Sequence, residues 1–317
     1  MIERAVKRVP LADHEGKSGA ALERVWLADG TRVVVKRFAP DDDIVMRLTG
    51  DREGREVAMW LSGVFERLPP EIGHAVVGGW FEDGYGVLVM RDLNGAVLTW
   101  QDQLSAADVR RVVRSMAALH RAFHGAPPAG LAPLDAVVGL FELRRIRPYA
   151  GSGLPDSALR GWEYFAEVAP GAVGQRVLAL ATDTTPLTKA LAARPATLVH
   201  GDLATVNMAL EGDRLTLIDW GMATAAPGAM DIGCLLAGCA HVLDVSPDDV
   251  LGLYRDAAGD LYDERAIRLG LLFGIVWLGW NKALDIVEHP DEAVRRRERA
   301  GLAWWLARAG EALDGGL

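Results

Sequence analysis

Cysteine is nearly absent from this 317-residue chain: only Cys234 and Cys239 occur, both inside the apolar run GCLLAGCA. A spacing of five fits neither a zinc knuckle nor a disulfide framework, so both read as small core residues. Such poverty suits a reducing compartment. Cationic side chains are short as well. Against 43 Asp and Glu stand 34 Lys and Arg, a net charge of −9. That deficit argues against nucleic acid, whose phosphates need clustered Lys and Arg, and suits a cationic or small polar ligand. Long apolar runs are missing too. The most apolar stretch, residues 269–280 (LGLLFGIVWLGW), is too short to span a bilayer, which takes about 20 apolar residues, so it reads as a buried helix. Residues 1–10 (MIERAVKRVP) carry no apolar targeting core. The seven histidines show no metal-binding spacing, and no internal repeat is present. The expectation is a soluble cytoplasmic protein with no nucleic-acid and no membrane partner. Nothing in the sequence speaks to oligomeric state.

What is present is ample core material: half the residues are hydrophobic and 24% are charged, over a length that suggests two domains or lobes. The first hundred residues read as strand-rich. Val33-Val34-Val35 and Val87-Leu88-Val89-Met90 are β-type runs, and Ala28-Asp29-Gly30 is a hairpin turn after a partner strand at 23–27. Residues 75–81 supply another strand, ended by Glu82-Asp83-Gly84. Residues 51–61 (DREGREVAMWL) predict a helix with Val57, Met59, Trp60 and Leu61 on one side and Arg52, Glu53, Arg55 and Glu56 on the other. Beyond residue 93 helical patterns dominate. The first, over 105–120, is capped by Ser105 with Asp108 three residues on, and a loop at 125–133 follows it. One short β-like segment interrupts the helices around 198–219. The expectation is an α+β, two-lobed chain: a small β-rich lobe over 1–92 and a larger helical lobe over 93–317.

Chemistry concentrates in LVHGDLATVN (198–207) and LIDWG (217–221). The first places Asp202 five residues before Asn207 on an irregular loop. The second ends an apolar strand with Asp219, followed two residues on by Gly221. An amide oxygen from Asn207 and a carboxylate from Asp219 are ligands that a hard, hydrated Mg²⁺ prefers, with phosphate oxygens completing the shell. Asp202 is then free to accept a proton from an attacking hydroxyl, or to orient it. These are the parts of a phosphoryl-transfer site. Each tripeptide alone reads as an ordinary turn; the pair, in this order and spacing, reads as catalytic. Lys36 ends the Val33–Val35 run, from where it can reach nucleotide phosphates, and Glu56, twenty residues on, can hold it in an ion pair; Glu53 is the rival partner. Glu15-Gly16-Lys17-Ser18-Gly19-Ala20 supplies glycines and the Ser18 hydroxyl as a phosphate-covering loop. Its Gly-Lys-Ser is not a P-loop, because Leu11 stands where that motif needs glycine.

The ordered set GKSGAA, VVVK, REVAMWL, LVMRDL, HGDLATVN, IDWG and MDIG resembles the aminoglycoside phosphotransferase family, a small-molecule branch of the protein-kinase-like fold, over residues 12–240. Gly201 stands where protein kinases typically carry Arg, and Asp231 follows Gly221 by only ten residues, too few for a protein-kinase activation segment. The resemblance implies ATP or GTP and Mg²⁺ as cofactors and a small-molecule hydroxyl as acceptor. It makes Asp202 the catalytic base, Asn207 and Asp219 the metal ligands, and Lys36, paired with Glu56, the phosphate contact. Ser18 sits in the covering loop. The backbone of Arg91 and Leu93 is the adenine hinge. His200 and Asp231 brace the catalytic loop. Ile232 stands for the usual Leu, and Ala204-Thr205-Val206 departs from the His, Pro or Gly frequent there; no metal ligand is lost.

The acceptor is written less plainly. Trp277, Trp280 and Leu284 form a helical stripe with Asp285 and Glu288 just beyond, an arrangement that reads first as core and second as an amine-binding wall. Trp304 and Trp305 read as packing. Residues 152–167 are placed to form a lid. The basic run 295–299 reads as a solvated helix face. An aminoglycoside-like aminosugar is the first expectation for the acceptor, followed by choline, another sugar or an amino alcohol. A nucleotide-binding regulatory protein without turnover is the rival from another class.

Overall fold

The computed structural model describes residues 5–11, 19–151 and 153–316. An antiparallel sheet opens the chain, built from β1 (Ala5–Pro10), β2 (Ala21–Leu27) and β3 (Arg32–Phe38), then β5 (Val76–Glu82) and β6 (Tyr85–Arg91). Their order is β1-β2-β3-β6-β5. The β2–β3 turn is closed by Gly30 at φ 85°, with the Asp29 carboxylate accepting the Thr31 N–H at 2.9 Å. Alternation along β3 sends Val33 and Val35 to one face, with Val25, Val87 and Val89. The opposite face carries Val34, Lys36 and Phe38 towards the second lobe. The valine run therefore aims Lys36 inward, although β1 itself went unread in the sequence.

Two helices lie between β3 and β5: α1 (Ile44–Thr49) and α2 (Arg55–Leu61). The helix expected over 51–61 begins only at Arg55. Gly54 sits at φ 99°, and Asp51 instead caps the helix, its carboxylate accepting the Gly54 and Arg55 N–H groups at 2.9 and 2.8 Å. Its expected polar face is also corrected, since Arg55 and Glu56 are buried. The short strand β4 (Ile72–His74) leaves the first sheet and pairs in parallel with β9 of the second lobe, whose range is Arg214–Leu217.

The rest of the described chain is mainly helical: α3 (Ala106–Ala122), α4 (Leu134–Val138), α5 (Leu143–Ile146), α6 (Gly153–Val168), α7 (Ala172–Thr182) and α8 (Thr185–Ala192) precede the segment 197–226, which holds the two motifs. That segment carries β7 (Thr197–Val199), β8 (Met208–Glu211), β9 and β10 (Thr224–Ala226), four short strands where one β-like stretch was expected. α9 (Ala229–Cys239), α10 (Pro247–Ala258), α11 (Glu264–Glu288) and α12 (Glu292–Asp314) complete the lobe.

α11 is the core helix, packed against α6, α9 and α12. It is longer than its apolar run suggested: 25 residues whose most apolar stretch has a mean hydropathy of 1.3, long and apolar enough to cross a membrane, yet 72% of that stretch is buried inside the protein. Its glycines bring α9 very close. A Cβ on Gly233 would lie 1.9 Å from the Gly270 carbonyl oxygen, and one on Gly274 would lie 2.6 Å from that of Gly233. The two backbones touch, and α9 is pressed between α11 and the segment 197–226.

Candidate active site

The loop from His200 to Asn207 joins β7 to β8. Gly201 takes φ 81°, and a Cβ there would meet the Met222 carbonyl oxygen at 2.2 Å, so only glycine lets the loop pass. The loop lacks a sheet ladder and is tied by side chains instead. Buried Asp231 accepts the N–H groups of His200 and Gly201, each at 2.9 Å. Oδ2, the oxygen that takes the His200 N–H, also meets His120 Nε2 at 3.1 Å, and His120 Nδ1 faces the Tyr254 hydroxyl at 3.0 Å. His200 donates from Nε2 to the Ile218 carbonyl at 3.0 Å, which leaves Nδ1 to accept the Asp202 N–H at 3.4 Å. A carbonyl can only accept, so this pair of contacts assigns the Nε2-protonated tautomer. Asn207 turns its amide NH₂ back on Asp202, reaching the backbone oxygen at 2.9 Å and Oδ2 at 3.1 Å, and its Oδ1 remains an acceptor.

Asp219 follows β9 in the left-handed region, φ 62° and ψ 64°. Such strain in a non-glycine residue costs about 1–3 kcal/mol and is held by its surroundings. Here those include the Ile218 N–H donating to the Asn207 carbonyl at 3.0 Å, which ties the two loops together. The twist brings Asp219 Oδ1 within 2.9 Å of Lys36 Nζ. Lys36 also donates to Glu56 Oε2 at 2.6 Å, and Glu56 Oε1 accepts the Trp220 N–H at 2.8 Å. Glu56, not Glu53, is thus the lysine's partner. Arg55, which sequence reasoning left on a solvent face, donates to the Gly221 carbonyl at 2.8 Å. No local pattern marks that bond, which joins residues 166 apart.

The electrostatics separate two carboxylates and an ammonium. Burial drives the Asp202 carboxyl up to about 6, helped by the nearby Asp219 charge and opposed by His200 and the Asn207 hydrogen bond. Burial also pushes Asp219 upward, but Lys36 outweighs it and holds this group below the ordinary carboxylate range. Burial alone would lower Lys36; Asp219 and Glu56 more than offset it and keep the ammonium charged.

These groups line one end of a cleft with a cavity volume of about 680 Å³. Its other end is walled by Trp100, Phe141, Trp277 and Trp280, with Lys282, Asp285, Arg297 and Glu298 among them. The tryptophan stripe is therefore core and wall at once. Trp277 donates its indole N–H to the Val137 carbonyl at 3.1 Å and still faces the cavity. Glu288 is drawn away by Tyr164 and Arg160 at 2.9 and 3.0 Å. The basic run is not wholly solvated, because Arg297 pairs with Glu298, which meets Lys282 at 3.3 Å. Leu154, from the expected lid, reaches the wall.

Ser18 and most of the glycine-rich loop lie outside the described residues. Arg91 and Leu93 are not among the groups lining the cavity. The Arg91 N–H is taken by the Ala75 carbonyl at 2.8 Å, and its side chain forks onto Glu211 at 2.7 and 2.5 Å.

Solved structures share this architecture. An aminoglycoside phosphotransferase from Alicyclobacillus acidocaldarius matches with 17% identity and a TM-score of 0.51, covering 98% of this chain and 91% of that one. A spectinomycin phosphotransferase solved with ADP and spectinomycin matches with 11% identity and a TM-score of 0.54, covering 97% and 89%. The choline kinase of Streptococcus pneumoniae matches with 15% identity and a TM-score of 0.55, covering 96% and 94%. At these identities the likeness is one of fold: the two-lobed, protein-kinase-like arrangement expected from the motifs. No curated protein matches the chain. The sequence profile of the phosphotransferase enzyme family spans residues 17–268, and the chain belongs to that family as a kinase of small molecules.

Proposed function

We propose that the protein transfers the γ-phosphate of ATP, with GTP as the alternative donor, to a hydroxyl of a small molecule, with Mg²⁺ as the metal. One observation carries this reading. Lys36 meets Asp219 across 183 residues of sequence, in the same cleft where Asn207 reaches back to Asp202. A charged lysine, two acidic groups of opposed proton affinity and an amide converge where a phosphoryl group would be handed over.

The donor set fits a hard divalent cation. Asn207 commits its NH₂ to Asp202 and keeps an amide oxygen, and the Asp219 side chain, 45% exposed, keeps carboxylate oxygen beyond that given to Lys36. Among the described residues no group of three His, Cys, Asp or Glu side chains could hold a metal alone, so phosphate oxygens and water would complete the shell. When bound, Mg²⁺ offsets charge on the transferring phosphoryl group. The chain does the rest. Lys36, locked by Glu56, binds donor phosphate oxygens. Asp202 accepts the acceptor's hydroxyl proton at its carboxylate, and Asn207 and His200 hold that carboxylate in place. Residues 1–92 would hold the nucleotide and 93–317 the acceptor. Ser18 would cover the phosphates, and the backbone of Arg91 and Leu93 would meet adenine.

For the acceptor we take an aminoglycoside or aminosugar first. Asp285 sits among indole rings at the far end and bonds Asn281 at 3.3 Å rather than a cation, leaving its charge for an amine. The same wall favours choline or an amino alcohol as the second reading. The test is ADP release over a panel of aminoglycosides, aminosugars, choline and amino alcohols, with Asp202→Ala as control. Acceptor-dependent release that this variant abolishes supports the reading. Silence across the panel alongside tight nucleotide binding would instead favour a regulatory protein without turnover.

A further inference from the structure

The catalytic loop raises an accounting question. Thr205 is fully buried, on a loop that follows β7 with no sheet ladder of its own. A buried backbone donor left without a partner is costly, so it needs an acceptor. It finds sulfur. The Thr205 N–H donates to Cys239 Sγ at 3.3 Å. Cys239, fully buried, stands on α9 beyond Asp231, which holds His200 and Gly201.

We infer that Cys239 is a positioning residue of the phosphotransfer site: together with Asp231 it forms a row of acceptors along α9 that holds three backbone N–H groups of the catalytic loop. This inference rests on the roles proposed for Asp202 and Asn207. The row brackets Asp202. Asp231 ties the residues just before it, and Cys239 the residue two before Asn207. The Asn207 N–H in turn donates to the Ala204 carbonyl at 3.0 Å, next to the sulfur-tied residue. A thiol suits the task because sulfur accepts weakly but at long range, and the side chain otherwise packs as a small apolar group. The row cannot recede, since Gly233 presses α9 onto the α11 backbone.

The test compares Cys239→Ala with Cys239→Ser in the full chain. Alanine removes the acceptor and serine replaces it. The first readout is amide hydrogen exchange in a peptide spanning residues 200–207, which needs no substrate. Alanine is expected to speed exchange of the loop by about 3- to 10-fold, with α9 and β3 unchanged, and serine to restore most of the protection. The second readout uses MgATP and whichever acceptor the panel identifies. Alanine should lower kcat with KM for MgATP unchanged, and serine should recover it. Unchanged loop exchange in the alanine variant overturns the inference. So does faster exchange spread evenly through α9, or a loss that serine does not rescue, since either outcome makes the thiol a packing residue only. Failure of the function itself reads differently: Asp202→Ala would leave ADP release as it was, with loop exchange still governed by Cys239.

Discussion

The two ends of the cleft are built on opposite plans. At the phosphate end each functional group sits where a strand stops or a loop begins, and backbone geometry places it: Lys36 by the alternation of β3, Asp219 by a left-handed residue after β9, Asp202 by a loop threaded past Met222. At the acceptor end the groups are side chains on long helices, and their charges are largely answered internally, Lys282 by Glu298 and Glu298 by Arg297. A site that handles an invariant phosphate gains from rigid placement. A site that must fit a particular acceptor is written in replaceable helix faces. The largest effects of substitution should therefore fall at the phosphate end, and the changes at the other end should be selective.

Asp202→Ala should be the most severe. It removes the group proposed to take the proton while leaving Asp231, His120 and the α9 contacts intact, so the fold should survive. Turnover is expected to fall by about 10²–10⁴-fold, the usual worth of a positioned base, with the melting temperature nearly unchanged. Loss of the fold along with activity would instead make Asp202 a structural residue.

Lys36→Ala should differ in kind. Glu56 is 3% exposed and would be left buried without its cation. Breaking a buried pair from one side costs about 3–5 kcal/mol, readable by urea denaturation, and nucleotide affinity should drop with it. A Glu56→Gln partner change in the Lys36→Ala background should recover much of the stability and none of the nucleotide binding. Recovery of binding would separate the lysine from the phosphates.

These contrasts also explain what could be read from the letters alone. HGDLATVN and IDWG could be read as one candidate site because their polar groups are compressed into short spans, and Lys36 could be added because a valine run fixes which face it takes. Glu56, His200 and Asp231 came with the motifs; two more distant supports did not. Arg55 reaches Gly221 over 166 residues, and His120 reaches Asp231 over 111. Arg55 and Glu56 looked like the polar side of a helix, because only the second lobe makes that side an interior. Asp51 looked helical because a capping carboxylate and a first-turn carboxylate are the same letter. The tryptophan stripe was ambiguous for a physical reason: a large indole can close the core with one edge and wall a cavity with the other.

Acid should then separate the two carboxylates of the phosphate end. Asp202 titrates at about 6, raised first by burial and next by Asp219. Its working form as a base is the carboxylate, so kcat/KM should be full above this value and fall about tenfold per pH unit below it. Asp219, held low by Lys36, should stay ionised through that range and leave nucleotide affinity flat. An acid limb in both kcat/KM and nucleotide binding would show that the two carboxylates titrate together rather than apart.

The smallest expected effect probes the acceptor end. Asp285 is raised by burial and then by the nearby Glu298 charge, which makes its ionised form less favourable until a cation arrives. Asp285→Asn keeps the shape and the contact to Asn281 while removing the charge. For an acceptor with an amine, KM should rise by about 5- to 10-fold, within the range for one ordinary hydrogen bond, with kcat unchanged. For an acceptor of the same size without an amine, KM should stay level or fall, because the cost of burying an unanswered carboxylate disappears. A loss of kcat shared by both acceptors would mean that Asp285 supports the phosphate end through the helix it stands on, and the division of the cleft into a rigid half and a selective half would no longer hold.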